Sequence, residues 1–206
     1  AAWCKKQKRP FLRFDYSGHG ASSGSFVDGC IGDWAEDAQA AITTLTEGPQ
    51  VLVGSSMGGW ISLLMAQRVP ERVAGLVTIA AAPDFTEDGF WRNFNEDTRK
   101  QLNDDGVVKI PSEYSEPYPI TKRLIEDGRL HLVLRKPLKL STPARLLQGD
   151  QDDDVSVETA NQLFQHLEGP DVQLTLLKGA DHRFSTPAAL SLVKTSILDL
   201  IEIIEN

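Results

Sequence analysis

Apolar residues in this chain fall into two alternating kinds of run: short blocks hydrophobic at nearly every position, and longer stretches where they recur every three or four residues. That alternation predicts βα units built around a mostly parallel sheet, with helices on both faces. Residues 11–14 read as a short strand entering the turn Asp15-Tyr16-Ser17-Gly18-His19-Gly20. A helix is expected from Asp33, as its N-cap, through Trp34, Ala38, Ala41, Ile42 and Leu45, ended by Gly48-Pro49. Residues 50–54, with Val51, Leu52 and Val53, read as a strand buried on both faces. A helix over 57–69 and a second buried strand over 72–80 follow.

The pattern changes between about Pro83 and Pro143. Charge density rises, prolines gather at Pro111, Pro117 and Pro119, and helical spacing is legible only near 91–102 and 120–127. No clean apolar strand is visible there. A segment of that kind between sheet elements is expected to be a cap, assigned to residues 84–142 of a single domain spanning 1–206. Sheet grammar returns at 144–147, then a helix over 157–167, a strand over 172–177 and a last helix over 187–204. That last helix carries Leu190, Val193, Ile197, Ile201 and Ile204 on one stripe, which predicts packing on the sheet.

Composition narrows the class. With 206 residues the chain can bury one substantial core but not two comfortable enzyme domains. A net charge of −8 argues against a nucleic-acid footprint, which needs a basic face. The one dense basic cluster, Lys5, Lys6, Lys8 and Arg9, reads as the solvated end of a helix. Cys4 and Cys30 make no disulfide framework and no C-x-x-C spacing, which suits a reducing compartment, so a cytoplasmic location is expected. No apolar run approaches the ~20 residues of a membrane-spanning helix. The chain opens on Ala1 with the look of a helix already under way, so a preceding segment is expected to be missing, and a mitochondrial location is the alternative if that segment carries a targeting signal.

The chemistry centres on Gly54-Ser55-Ser56-Met57-Gly58, a G-x-S-x-G match set between a buried strand and a helix. A turn that tight demands small neighbours, which Gly54, Gly58 and Gly59 supply, and it would lift the Ser56 hydroxyl above the sheet. The Met57 N–H would then face an oxyanion forming on a substrate. A hydroxyl attacks only when a base takes its proton, so a histidine must reach it. Of four, His19 sits in a Gly-His-Gly turn as a packing residue, while His131 closes the cap and His166 lies on a helix surface. His182 follows a strand and precedes the last helix, the only one leaving room for the order serine, acid, histidine. The acid belongs in Gly149-Asp150-Gln151-Asp152-Asp153-Asp154-Val155, where Asp152 is the first candidate and Asp153 and Asp154 are fallbacks. Asp150, Asp152 and Asp154 also imitate the start of a calcium loop. Val155 and Asn161 stand where that loop needs Gly and Glu, so calcium is rejected and no metal is expected.

These residues together resemble the α/β-hydrolase superfamily of serine hydrolases over the whole length, and the spacing G-x-x-D-x-x-V in that family is what favours Asp152. A narrower resemblance rests on Arg13-Phe14-Asp15-Tyr16-Ser17-Gly18, Gly48-Pro49-Gln50, Trp60 after the elbow, Pro111-Ser112-Glu113-Tyr114-Ser115 and Asp181-His182-Arg183. It is similar to a subfamily of mitochondrial palmitoyl-protein thioesterases and acyl-glucuronide esterases with bacterial relatives. The resemblance implies cleavage of a small-molecule ester or an acyl-protein thioester through an acyl-serine, without cofactor or metal. Trp60, Phe85, Phe90 and Trp91, beside Phe94 and Tyr118, would supply an apolar wall for an acyl chain. Haloalkane dehalogenase and epoxide hydrolase chemistry is disfavoured, because those enzymes need an aspartate nucleophile where Ser56 stands. Carbon–carbon bond hydrolysis and a catalytically silent binding scaffold remain as alternatives. The family's early strands, and the loop giving its second oxyanion N–H, have no counterpart before Trp3, so the chain is expected to be N-terminally incomplete. Oligomeric state leaves no signal in the sequence.

Overall fold

In the computed structural model, residues 1–111 and 117–206 are described, so four of the five residues of the Pro111–Ser115 motif lie outside the described residues. In chain order the helices are α1 (Ala2–Lys6), α2 (Ile31–Leu45), α3 (Met57–Arg68), α4 (Glu96–Asp105), α5 (Lys122–Gly128), α6 (Val157–His166) and α7 (Pro187–Glu205). The strands are β1 (Gln50–Ser55), β2 (Val73–Ile79), β3 (Val107–Ile110), β4 (Tyr118–Thr121), β5 (Leu138–Lys139), β6 (Ala144–Gly149), β7 (Leu167–Glu168) and β8 (Val172–Leu177). The four long apolar blocks pair side by side, all parallel, in the order β1-β2-β6-β8.

Alternation along the strands divides the core. Leu76 and Leu146 face one side, where Trp34, Trp60, Leu63 and Leu163 come from α2, α3 and α6. Val77 and Leu147 face the other, against Ala189 and Leu200 of α7. Successive strand residues point to opposite faces, so nearly continuous apolar blocks are what a sheet covered on both sides requires. Arg145 is the charged exception. Its side chain is 5% exposed on the α7 side, held at 2.6 Å by Asp171 and at 2.6 Å by Asp199 of α7. Both acids reach the surface while the cation does not, and that predicts an asymmetry. Arg145→Met removes a buried charge and should cost less than about 1.5 kcal/mol, whereas Asp171→Ala with Asp199→Ala strands the guanidinium and should cost about 3–5 kcal/mol. Urea unfolding of the two variants measures the difference; equal losses would refute it.

Five expectations need correction. Residues 11–14 form no strand, and Phe11 is 53% exposed, because no neighbouring strand among the described residues takes up their backbone groups. β1 is an edge and is not buried on both faces: α7 lies mainly over β2, and Val53 is left 47% exposed. The stretch between β2 and β6 does contain strands, an antiparallel hairpin of β3 and β4 joined through Val107–Thr121 and Val108–Ile120 pairings. Helix α2 also starts earlier, at Ile31 with Cys30 before it, instead of at Asp33. Arg72 belongs to the turn ahead of β2, where its guanidinium binds the carbonyls of Ile42, Thr46 and Gly48 and so finishes α2.

Candidate active site

Ser56 occupies the single residue between β1 and α3, with φ 53° and ψ −120°. A non-glycine residue there is strained. The surroundings hold it: Ser56 N–H donates to Ile79 O at 2.9 Å, and its own carbonyl accepts from Gly59 N at 2.9 Å and Ala82 N at 3.1 Å. The turn is as tight as the motif suggested at two of its glycines. A Cβ on Gly54 would sit 2.1 Å from Gly58 O, and one on Gly59 would sit 2.6 Å from the Ala81 Cβ. Gly58 differs from expectation, since a Cβ there would meet only Tyr16 Oη at 3.9 Å. Met57 is the first residue of α3, where the helix itself offers its N–H no acceptor.

Asp152 and His182 sit on the loops that leave β6 and β8, at the same carboxyl edge of the sheet as Ser56. Those two loops are stitched together. Gln151 N donates to Ala180 O at 3.0 Å, and Asp150 receives Lys178 Nζ together with the Gly179 N–H. Asp150 is thereby committed to the loop's shape, and His182 meets Asp152, with Nδ1 at 3.0 Å from both carboxylate oxygens. The Asp152 side chain is fully buried; that of His182 is 18% exposed. Oδ1 of Asp152 also accepts from Asp154 N at 3.0 Å and Val155 N at 2.8 Å, and Oδ2 from Gln148 Nε2 at 2.9 Å. Burial pushes this carboxyl up, but the hydrogen bonds from His182, the Val155 N–H and Gln148 outweigh it and hold it below the usual range. The bond to Asp152 raises His182 above the ordinary imidazole value, against the opposing pull of burial, and Asp154 and Asp181 add to the rise.

The chain leaving β8 turns back over the sheet, because α7 packs on β2 with its flanks on β1 and β6. His182 follows β8 on that return path, and with Nδ1 engaged by Asp152 its Nε2 is the ring nitrogen left for a second partner. One donor set invites a metal: ligand atoms of Asp152, Asp154 and His182 lie within 4.8 Å of one another. The Asp152 oxygens, however, are already occupied by N–H donors, which is the chemistry of a hydrogen-bonded pair.

The other sites expected from sequence separate. Trp60 is fully buried, its Nε1–H donating to His131 O at 3.0 Å, so it cannot form an open wall and is withdrawn as a substrate contact. Phe85 stacks edge-on to Trp60 and to Phe90, whose ring lies 6.2 Å from that of Phe94. These three rings remain half-buried. Trp91 is covered by the guanidinium groups of Arg129 and Arg99, at 4.6 and 5.2 Å from its ring. His19 packs among Tyr16, Phe26 and Trp34 as expected, and His131 bonds Arg68 and Asp127. His166 is half-buried instead of exposed.

Sequence reasoning missed two supports. Tyr16 stands beside the elbow, and burial, then Asp37, pushes its hydroxyl up to about 12. Asp84 is fully buried just after β2 and takes the N–H groups of Val133 at 2.7 Å and Leu134 at 2.9 Å, tying the far end of the inserted stretch to the sheet.

A family model described as alpha/beta hydrolase fold matches residues 4–118. The bovine protein named palmitoyl-protein thioesterase ABHD10, mitochondrial, is 38% identical over 205 residues, covering 97% of this chain and 66% of the relative. The chain therefore spans about two thirds of that relative's length. The structure of alpha/beta hydrolase domain-containing protein 10 from mouse superimposes with a TM-score of 0.90 at 34% identity, over 98% of this chain and 82% of that one. A protein from Agrobacterium vitis S4 superimposes at 0.88 with 42% identity, over 92% and 75% of the two chains.

Proposed function

The chain belongs to the α/β-hydrolase fold family, and from that premise we propose that it is a serine hydrolase cleaving a carboxylic ester or thioester through an acyl-serine. The observation that carries this reading is the buried Asp152 carboxylate against His182 Nδ1 at 3.0 Å, at the sheet edge that presents Ser56. His182 Nε2 takes the proton as Ser56 Oγ attacks the carbonyl carbon. The Met57 N–H donates to the oxyanion, a contribution of about 3 kcal/mol to the barrier. Collapse breaks the bond to the alcohol or thiol, which leaves with the proton from His182. Water, deprotonated by the same imidazole, then releases the acid and restores the serine.

Residues 84–142 act as a cap on a single domain, anchored by Asp84, and Phe85, Phe90 and Trp91 are its contribution to the acyl side of the site. A long acyl chain is the class favoured by the names of the mammalian relatives, with a small-molecule ester as the simpler substrate. The word mitochondrial in those names and the two free cysteines support a reducing compartment, the cytoplasm or a mitochondrion. Among the described residues no helix is long and apolar enough to cross a membrane.

A fluorophosphonate probe separates this reading from a silent scaffold. The full-length protein is expected to be labelled at Ser56 and to hydrolyse p-nitrophenyl esters and acyl-thioesters. Absence of labelling in folded protein would end the proposal.

A further inference from the structure

We propose that Gln148 is a positioning residue for the Asp152–His182 pair, holding the carboxylate by Oδ2 from the buried end of β6. The inference rests on the hydrolase reading above. Gln148 is 1% exposed and its Nε2, with two hydrogens, faces three acceptors: Asp152 Oδ2 at 2.9 Å, Val155 O at 2.8 Å and Gly149 O at 3.2 Å. Its Oε1 is buried with no hydrogen-bond partner among the described residues. A core that needed only volume here would be better served by a hydrophobic side chain, because an orphaned buried carbonyl is costly. What the amide supplies is all on its nitrogen.

The consequence concerns charge. A wholly buried carboxylate has only protein donors to share its charge: two backbone N–H groups on Oδ1, Gln148 on Oδ2, and the imidazole shared by both oxygens. Drawing charge toward Gln148 weakens the pull of Asp152 on the imidazole proton, so His182 gives up that proton at a lower pH than it would beside a bare Oδ2. Asp154 and Asp181 also act on the ring, from positions these variants leave unchanged. The two backbone bonds to Oδ1 keep Asp152 in place without Gln148, so charge and not displacement sets the sign.

The test is Gln148→Met, with Gln148→Leu beside it, in the full-length protein, following the His182 Cε1–H resonance by NMR and kcat/KM against pH. The His182 midpoint is expected to rise by about half a pH unit. That is about a threefold loss of kcat/KM on the acid limb, closing well above it, with KM unchanged. A merely structural role would depress kcat at every pH. In the wild type, the Gln148 side-chain amide resonances should titrate with the His182 midpoint, a readout that needs no variant to fold. An unmoved or lowered midpoint, or amide resonances indifferent to it, would overturn the inference. The NMR titrations need no turnover, so a protein without activity would refute the hydrolase reading and leave this one to stand or fall on its own data.

Discussion

Ser56→Ala is expected to lower kcat/KM for an activated ester by a factor on the order of 10⁵ to 10⁶, with fluorophosphonate labelling lost and melting temperature unchanged. The size follows from the way such residues act as a unit: without the hydroxyl there is no covalent route, and the imidazole has nothing to deprotonate. What survives is the modest catalysis of an oxyanion donor and a bound substrate. A second variant reads the backbone. Ser56 sits at φ 53° and ψ −120°, a conformation that a Cβ opposes, so alanine inherits the strain and glycine does not. Such strain is worth about 1–3 kcal/mol, and glycine's greater freedom in the unfolded chain takes back up to about 1 kcal/mol. Ser56→Gly should therefore be inactive yet about 1 kcal/mol more stable than Ser56→Ala. Retention of a tenth of the wild-type rate in Ser56→Ala would sink the mechanism. A glycine variant less stable than the alanine one would show that the elbow stores no strain.

The elbow could be read from sequence because its signal is local. Five residues set the turn, an apolar block precedes it and a helix follows, so Ser56 needs no knowledge of the rest of the chain. His182 was legible for a weaker reason, its place after a strand in the order of the fold. The acid was ambiguous because Asp150, Asp152, Asp153 and Asp154 share one loop, and only the third dimension commits Asp150 to Lys178 and Gly179 and turns Asp152 to the imidazole. The β3–β4 hairpin escaped because its only fully buried pair is Val108 and Ile120, too few positions to show a period, with Pro119 between strand residues. Residues 11–14 failed in the opposite sense. Their apolar pattern is strand-like, but a strand exists only beside a partner. Gln148 and Asp84 had no signal, since a lone polar residue declares its role only when its buried partners are known. Trp60 misled because an aromatic after the elbow can face either the site or the core.

Asp152→Asn is expected to cost about 10⁴ in kcat while leaving the His182 loop in place. The reason lies in which oxygen is spoken for. Oδ1 receives two backbone N–H groups, from Asp154 and Val155, which nothing but an acceptor can satisfy. An asparagine must therefore put its oxygen there and its NH₂ where Oδ2 stood, facing both Gln148 Nε2 and His182 Nδ1. Against Gln148 that is donor on donor, which should lower stability by about 1–3 kcal/mol. Against His182, whose Nδ1 is 3.0 Å from both positions, the NH₂ competes with the remaining oxygen, and where it donates, Nδ1 becomes the acceptor and the ring proton moves to Nε2, the nitrogen that has to accept the proton of Ser56. The pH profile carries the same argument with a sign. In the wild type the base form exists only above a midpoint raised over 6.5, the bond to Asp152 being the largest cause, so kcat/KM should fall as pH drops through it. With that bond and the Asp152 charge gone, burial pulls the ring down against only the lesser push of Asp154 and Asp181, and the midpoint should fall below its wild-type position. A variant within tenfold of wild type, or one whose acid limb stays where it was, would mean that Asp152 neither orients nor charges the imidazole.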